Sequence, residues 1–150
     1  ACSNDFGNRP RELTLISDVL ASSNALKHAR KNLAKWMRTE RRSTMFPLGL
    51  LGASARVEYQ PKGVVGILAP WNFPIGMVMT PLAGIFAAGN RAIAKPSEFT
   101  PETSALFERL VPQYFAPEEF AIVTGGPEVG QAFSQLPFDH IIFTGATSIG

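Results

Sequence analysis

The amino-acid sequence predicts an α/β fold, in which a parallel sheet has helices on both of its faces. Apolar segments alternate with helix-like segments of about 10–15 residues from residue 53 onward, which is typical of this class. Residues 64–69 are apolar throughout and indicate a strand buried on both faces. The composition agrees, because 45% hydrophobic and 17% charged residues over 150 positions are typical of a chain with one packed core.

Helices precede the sheet in the predicted order of elements. Pro10 is suited to a first helical turn, and Leu13, Ile16 and Leu20 follow at helical spacing. Residues 22–24 form a cluster of capping residues, so a second helix is predicted to begin there. The first third of the chain is therefore expected to hold two separate helices.

Basic residues are concentrated on this second helix and just after it. Seven of the fourteen Lys and Arg residues lie between positions 27 and 42, although the chain has a net charge of only +2. An amphipathic helix of this kind usually presents its basic face to solvent or to another subunit. A nucleic-acid or membrane surface is the alternative, but no further basic stripe supports it. We therefore expect neither nucleic acid nor a membrane as a partner.

Cysteine and histidine are too few for disulfide or metal chemistry. Cys2 is the single cysteine and cannot form an internal disulfide, and with two histidines it completes no Cys/His metal site. Residues 1–12 are polar and contain no apolar signal segment, which favours a cytoplasmic location. The uncharged residues 63–90 are long enough to cross a bilayer, but three prolines and Asn72 interrupt them. A strand, a turn and a buried helix explain this segment better.

The elements of the predicted sheet begin at residue 53. Residues 53–59 alternate between apolar and polar side chains and read as a strand. The parallel strands that follow are predicted at 64–69, 91–94, 120–124 and 140–144, with helices at 74–88, 101–114 and 127–136. Right-handed crossovers are expected between these strands.

Unusual sequences follow the four parallel strands, at the edge where open α/β sheets bind their ligands. The four loops are residues 70–74, 95–98, 125–130 and 145–150. The last two have the form G-x-x-x-x-G, which suits an anion bound by backbone N–H groups, although glycine after a strand is also common in turns. Neither matches the dinucleotide or P-loop fingerprint. The sequence therefore predicts a ligand site at this edge.

Side chains in these loops have two interpretations each. Lys95 and Glu98 could contact ribose hydroxyls, or could form a solvated ion pair before a helix capped by Thr100. Asn72 could donate to a developing oxyanion, or could cap the helix that follows it. Trp71 could belong to the core or to the wall of a ligand site. The residue pattern leaves these alternatives open.

Four motifs occur in a characteristic order along the chain. They are residues 70–74 (PWNFP), 88–90 (AGN), 95–101 (KPSEFTP) and 143–150 (FTGATSIG). Together they resemble the first part of the NAD(P)-dependent aldehyde dehydrogenase superfamily, and the resemblance covers essentially the whole chain. Further segments, at 5–9, 28–33, 59–63 and 136–140, are most similar to the coniferyl aldehyde dehydrogenase branch, near the class 3 enzymes.

The resemblance implies a role for several residues at this edge. Asn72 matches the asparagine that holds the oxyanion, whereas Pro70 and Trp71 match a strand end that lies against the cofactor. Lys95 and Glu98 match the pair that contacts the adenosine ribose. The implied cofactor is NAD, with NADP as the alternative, because a carboxylate at Glu98 would repel a 2′-phosphate.

The two glycine loops have implied roles as well. Gly126 and Gly130 match the loop near the adenine. The family's G-x-T-x-x-G turn near the pyrophosphate is matched by Gly145, Ala146, Thr147 and Gly150. Many family members have Ser or Asn where this chain has Ala146, so phosphate contacts here would depend on backbone N–H groups and on Thr147.

The resemblance further implies oxidation of an aldehyde, such as coniferaldehyde, to its carboxylic acid through a cysteine thiohemiacetal. The nucleophilic cysteine and the general-base glutamate are expected beyond Gly150, in a catalytic domain. Residues 1–150 would then be the N-terminal part of a Rossmann-like NAD-binding domain, inactive alone. Residues 53–59 match a strand of the oligomerisation element, so a homodimer or homotetramer is expected of the full-length protein. The alternative is a truncated module that binds a nucleotide or a partner without catalysis.

Overall fold

Six α-helices and six strands follow one another in the structure, a computed structural model that describes residues 1–150. The helices are α1 (Cys2–Asp5), α2 (Arg11–Thr14), α3 (Ala21–Trp36), α4 (Gly76–Ala87), α5 (Pro101–Tyr114) and α6 (Pro127–Ser134). The strands are β1 (Glu40–Arg42), β2 (Ala55–Val57), β3 (Val64–Leu68), β4 (Arg91–Lys95), β5 (Phe120–Ile122) and β6 (His140–Phe143). A π-helical segment (Leu15–Leu20) joins α2 to α3, and a 3₁₀ turn (Leu48–Leu51) precedes β2.

Strands β3 to β6 form a four-stranded parallel sheet in the spatial order β5-β4-β3-β6. The register pairs Leu68 with Lys95 on one side and with Phe143 on the other. All four carboxyl ends therefore lie at one edge. The predicted α/β class and parallel sheet are confirmed, and the observed strands end within two residues of the predicted bounds.

One apolar cluster packs the central strands against α4 and α5. Ile67 of β3 is 1% exposed, and Val78 and Leu82 of α4 are fully buried. Phe107 of α5 and Phe120 of β5 belong to the same cluster. Burying a side chain of this size stabilises the fold by about 1.5–3 kcal/mol, so this cluster holds the strands and their carboxyl-end loops in fixed relative positions.

A single helical run over residues 11–36 replaces the two helices that the sequence predicted. The expected cap at residues 22–24 is absent, because the Ser22 hydroxyl donates to the Asp18 carbonyl one turn earlier, at 2.6 Å. A hydroxyl satisfied in this way fits inside a helix. Leu13, Ile16 and Leu20, which the sequence placed on the apolar face of the first helix, are exposed in these 150 residues.

Strands β1 and β2 form a separate antiparallel pair. The strand predicted at 53–59 is present only in its middle, and its partner β1 was not predicted. The Tyr59 hydroxyl donates to Glu40 of β1 at 2.8 Å. The segment that connects β1 to β2 exposes large apolar side chains, namely Met45, Phe46, Leu50 and Leu51.

No helix in the structure has both the length and the apolar content that a membrane crossing needs. The uncharged residues 63–90 form β3, a loop and α4, as expected. Helix α4 has 12 residues and contains Pro81, whereas a crossing needs about 20.

Candidate functional site

Four loops meet at the carboxyl edge of the parallel sheet. The Ala69 N–H donates to the Lys95 carbonyl, and the Thr144 N–H donates to the Leu68 carbonyl, each at 3.1 Å. These bonds continue the pairing just past the strand ends, so the loops leave the sheet at the same level. The edge therefore has the form that the sequence predicted for a ligand site.

The order of the strands places a switch point beside β3. Strands β3, β4 and β5 lie side by side in chain order, whereas β6 returns to the other side of β3. Open α/β sheets bind ligands in the crevice at such a point. Residues 69–75 and 144–150 border this crevice, and the β4 and β5 loops extend the edge. With neighbouring strands about 4.8 Å apart, the four strands span roughly 14 Å.

Lys95 and Glu98 form an ion pair at the end of β4. Lys95 Nζ lies 3.2 Å from Glu98 Oε2, and it donates to the Pro96 carbonyl at 3.3 Å. The side chain of Lys95 is only 5% exposed, whereas that of Glu98 is 32% exposed. The ammonium is therefore buried behind a carboxylate that solvent reaches. The two residues thus form an ion pair before α5 that is solvated only on the side of Glu98, and contact with a ribose stays a prediction.

The β5–α6 loop approaches the same pair. A Cβ added at Gly130 would lie 3.6 Å from Lys95 Cε, so the lysine stem packs on this turn of α6. Gly125 has a φ of +144°, and a Cβ there would collide with Val129, so the turn requires glycine at that position. Gly126 occupies the N-cap position of α6. The structure thus brings Gly130, Lys95 and Glu98 together.

The pKa of the Glu98 carboxyl lies below its ordinary value of 4.5. The largest cause is a backbone hydrogen bond at Glu98, and the Lys95 ammonium lowers the pKa further, while burial acts in the opposite direction. A lowered pKa keeps the carboxylate charged at neutral pH. Any binding or stability that the charge provides is present above pH 4.5 and is lost as the pH falls through the lowered pKa.

Replacing Lys95 with methionine is expected to raise the pKa of Glu98, because the ammonium that favours the charged carboxylate is removed. The titration of the Glu98 side-chain carboxyl carbon by NMR measures this change. Lys62→Met is the control, since its side chain makes no ion pair with Glu98. An unchanged titration midpoint in Lys95→Met would show that the backbone hydrogen bond alone sets the pKa.

The turn at residues 145–150 lies across β3 from the Lys95–Glu98 pair. The Phe143 ring packs against it, and a Cβ added at Gly145 or Gly150 would lie 2.6 Å from a ring carbon. The Ile149 N–H donates to the Ala146 carbonyl at 3.0 Å. The glycines therefore allow the turn to close over the ring. That Gly145, Ala146, Thr147 and Gly150 bind a pyrophosphate stays a prediction.

Asn72 lies in the exposed loop between β3 and α4. It does not cap α4, because Asp18 Oδ1 accepts hydrogen bonds from the N–H groups of Ile75 at 3.1 Å and Gly76 at 2.9 Å. The Asn72 carbonyl accepts a hydrogen bond from Arg9 Nη1 at 2.9 Å. Its side-chain amide has no partner within the chain and is available to a ligand.

Trp71 is half exposed and lies outside the apolar cluster. Its ring packs on Phe6 with the centroids 6.2 Å apart. Of the two interpretations of Trp71, the wall of an open site fits the structure and the core does not. Pro70 separates it from the buried Ala69 at the strand end.

Helix α5 receives its cap from the start of the chain. Thr100 occupies the N-cap position, as predicted, but its hydroxyl donates to the Ser97 carbonyl instead of accepting from α5. The Asp5 carboxylate accepts from the N–H groups of Glu102 and Thr103, each at 2.9 Å. These partners lie 97 and 98 positions apart. No local pattern indicates such a cap.

Both the sequence and the fold of this chain match those of aldehyde dehydrogenases. Residues 12–150 match the model of the aldehyde dehydrogenase family. The chain is 57% identical over 150 residues to a probable coniferyl aldehyde dehydrogenase of Caulobacter vibrioides, covering 99% of this chain. It spans only 31% of the length of that relative.

Two solved structures have the same fold over most of the chain. The substrate-bound state of Staphylococcus aureus AldH aligns with a TM-score of 0.85 and 36% identity, over 91% of this chain and 29% of that one. An aldehyde dehydrogenase of Mycobacterium tuberculosis complexed with NAD+ aligns with a TM-score of 0.70 and 29% identity, over 86% of this chain and 26% of that one.

Proposed function

Because the chain belongs to the aldehyde dehydrogenase family, we propose that it serves the NAD-dependent oxidation of an aldehyde to its carboxylic acid. One observation supports this function most strongly: a free Asn72 amide and the Lys95–Glu98 pair lie along one edge of the sheet, at and beside its switch point. The relative with 57% identity is named as a probable coniferyl aldehyde dehydrogenase. We therefore propose an aromatic enal such as coniferaldehyde as the substrate.

The residues at the ends of β4 and β5 fit the adenosine part of NAD. The Glu98 carboxylate is charged and reachable, so it can accept hydrogen bonds from vicinal ribose hydroxyls. Lys95 holds that carboxylate in place, and Gly130 leaves room beside the lysine stem. When bound, NAD supplies an acceptor for the hydride that leaves the substrate. NADP is the alternative, which the charge of Glu98 disfavours.

On the other side of the edge, Asn72 can stabilise charge during the first chemical step. When a cysteine thiolate adds to the aldehyde carbon, an S–C bond forms and the carbonyl oxygen becomes an oxyanion. We assign the Asn72 amide as a hydrogen-bond donor to this oxygen. Cys2 is buried, with its sulfur 3.4 Å from the Thr103 hydroxyl. We therefore propose that the reacting cysteine comes from residues outside these 150, as the family resemblance also implies for the glutamate that activates water.

The direct test is the formation of NADH when the intact protein meets coniferaldehyde and NAD. Parallel assays with CoA or phosphate distinguish a simple dehydrogenase from an acyl-transferring relative. Activity that needs neither addition supports the proposal. An intact protein that forms no NADH with any aromatic or aliphatic aldehyde would indicate a binding module instead.

Replacing Glu98 with glutamine is expected to weaken NAD binding about tenfold, because a neutral amide with a single acceptor oxygen replaces a charged carboxylate with two. NADP binding should weaken less, since the substitution also removes repulsion of the 2′-phosphate. Isothermal titration of the intact protein gives both dissociation constants. Glu102→Gln is the matched control, because Glu102 lies in the first turn of α5 and its side chain has no ion-pair partner. Equal losses for NAD and NADP would exclude ribose recognition by Glu98.

Self-association of the intact protein as a dimer or tetramer is also part of the proposal. The β1–β2 pair is separate from the main sheet, and the segment between its strands exposes Phe46 (81%) and Leu50 (80%). Contiguous exposed apolar side chains of this kind favour a protein contact. A cytoplasmic location is proposed because a single cysteine can form no internal disulfide.

A further inference from the structure

We propose that Arg9 and Asp18 are positioning residues for Asn72, so that the N-terminal segment determines where the oxyanion donor lies. The inference rests on the proposed function, because it assigns these two side chains to the step in which Asn72 acts. It also gives a role to residues 5–9, a motif that the reaction itself does not use.

A continuous set of hydrogen bonds joins Arg9 and Asp18 to the Asn72 loop. Arg9 Nη1 donates to the Asn72 carbonyl at 2.9 Å, and Arg9 Nη2 donates to Asp18 Oδ2 at 2.8 Å. The other oxygen of Asp18 accepts from Ile75 and Gly76. The ion pair therefore bonds to the loop on both sides, at Asn72 and at the first turn of α4.

The burial of this pair suits a positioning role. The side chains of Arg9 and Asp18 are 5% and 0% exposed, and Arg9 Nε is buried without a partner. A buried ion pair contributes little net stability compared with apolar residues of the same size. A planar guanidinium, however, donates in fixed directions and defines the geometry of its partners. The pair is thus better suited to orienting the loop than to stabilising the fold.

The residues around Arg9 direct its side chain toward the Asn72 loop. Gly7 and Asn8 have φ values of +58° and +81°, so the chain turns sharply just before Arg9. The guanidinium lies over the ring of Phe6, at 4.8 Å from its centroid, and near the ring of Phe73, at 5.6 Å. Phe73 follows Asn72 directly, so these contacts hold the guanidinium beside the loop.

The π-helical segment Leu15–Leu20 presents the partners of Arg9. Ser17 and Asp18 are adjacent in this segment, and both bond to Arg9 Nη2, at 3.1 Å and 2.8 Å. A π-helical turn is wider than an α-helical one and is frequent at functional positions. Consecutive side chains can therefore meet the same guanidinium here.

Asn72 depends on its backbone for its position. Its side chain makes no hydrogen bond within the chain, and the residue is exposed, so no neighbouring group orients the amide directly. An oxyanion donor that is displaced by about 1 Å can lose most of its effect. Arg9 bonds to the main chain of Asn72 itself. A change at Arg9 should consequently alter the reaction through Asn72.

A double-mutant cycle in the intact protein tests this dependence. Arg9→Lys retains the charge opposite Asp18 but loses the planar fork. When Asn72 is present, we expect Arg9→Lys to slow the pre-steady-state burst of NADH about tenfold. When Asn72 is already replaced by alanine, we expect Arg9→Lys to slow the burst no further. The Kd for NAD should stay the same in both cases. Asp5→Ala is the matched control, because it removes the cap of α5 from the same segment without touching the Asn72 loop.

Each outcome of the cycle decides between the two proposals. Any effect of Asp5→Ala on the burst should be the same whether or not Asn72 is replaced by alanine, because Asp5 does not contact the loop. If Arg9→Lys also slows the burst equally with and without the Asn72→Ala substitution, the positioning role is overturned and the proposed function is left intact. A normal burst in Asn72→Ala alone would overturn the oxyanion role and the positioning role together. If Arg9→Lys does not fold, the neutral pair Arg9→Gln with Asp18→Asn enters the same cycle, because it leaves no buried charge unpaired.

Discussion

Replacing Asn72 with alanine is expected to slow the pre-steady-state burst of NADH from the intact protein by about 10²–10³-fold. The substitution removes one hydrogen-bond donor from the oxygen on which negative charge develops. Because the Asn72 side chain has no partner within the chain, its loss should leave the fold unchanged. NAD affinity is expected to stay the same, since the Lys95–Glu98 pair lies at the end of a different strand.

Asn90→Ala is the matched control for this experiment. The Asn90 side chain accepts hydrogen bonds from the N–H groups of Lys62 at 2.6 Å and Gly63 at 2.9 Å, at the amino end of β3. Its loss should lower stability without slowing the burst. A burst of normal rate in Asn72→Ala would mean that other groups hold the oxyanion. Equal slowing in both variants would indicate a general effect on the fold.

Replacing Asp18 with alanine is expected to destabilise the N-terminal part of the protein by about 3–5 kcal/mol. The Arg9 charge would remain buried without its partner, and the N–H groups of Ile75 and Gly76 would lose their acceptor. Hydrogen exchange of the α4 amides in the intact protein measures the free energy of local opening. Faster exchange is expected first at residues 75 and 76.

Asp18→Asn separates the charge from the cap. The asparagine oxygen can still accept hydrogen bonds from the N–H groups of Ile75 and Gly76. Only the Arg9 guanidinium loses the negative charge that it pairs with. The buried Arg9 charge is still unpaired, so we expect a loss of about 3 kcal/mol, at the lower end of the range for Asp18→Ala. Exchange rates in Asp18→Ala that match those of the unmodified protein would show that the ion pair and the cap provide no net stability.

Local sequence patterns were sufficient to predict the sheet and the edge at which the candidate residues meet. Helix α5 begins at Pro101 and ends at Tyr114, as predicted, because proline fits the first helical turn and the apolar spacing continues to that point. The strands were predicted from short apolar runs, and the alternation of strands with helices requires them to be parallel. Parallel strands have their carboxyl ends at one edge, so Asn72, Lys95 and Glu98 had to lie along it.

Contacts between distant residues were beyond the reach of these patterns. Asp5 caps α5 from 97 positions away, and Arg9 bonds to Asn72 from 63 positions away. The free N–H groups of a helix N-terminus can donate to any oxygen that packing brings to them. Thr100 and Asn72 are the nearest capping residues in the sequence, but the caps of α5 and α4 come from Asp5 and Asp18.

The chain order of apolar and polar residues thus determines the class of fold and the edge at which the candidate site lies, since both follow from periodicity over a few residues. The state of each side chain at that edge depends on the packed molecule. Lys95 is buried, the Asn72 amide is free, and Asp18 is enclosed with Arg9, because burial and hydrogen bonding are set by whichever distant segment packs against each residue.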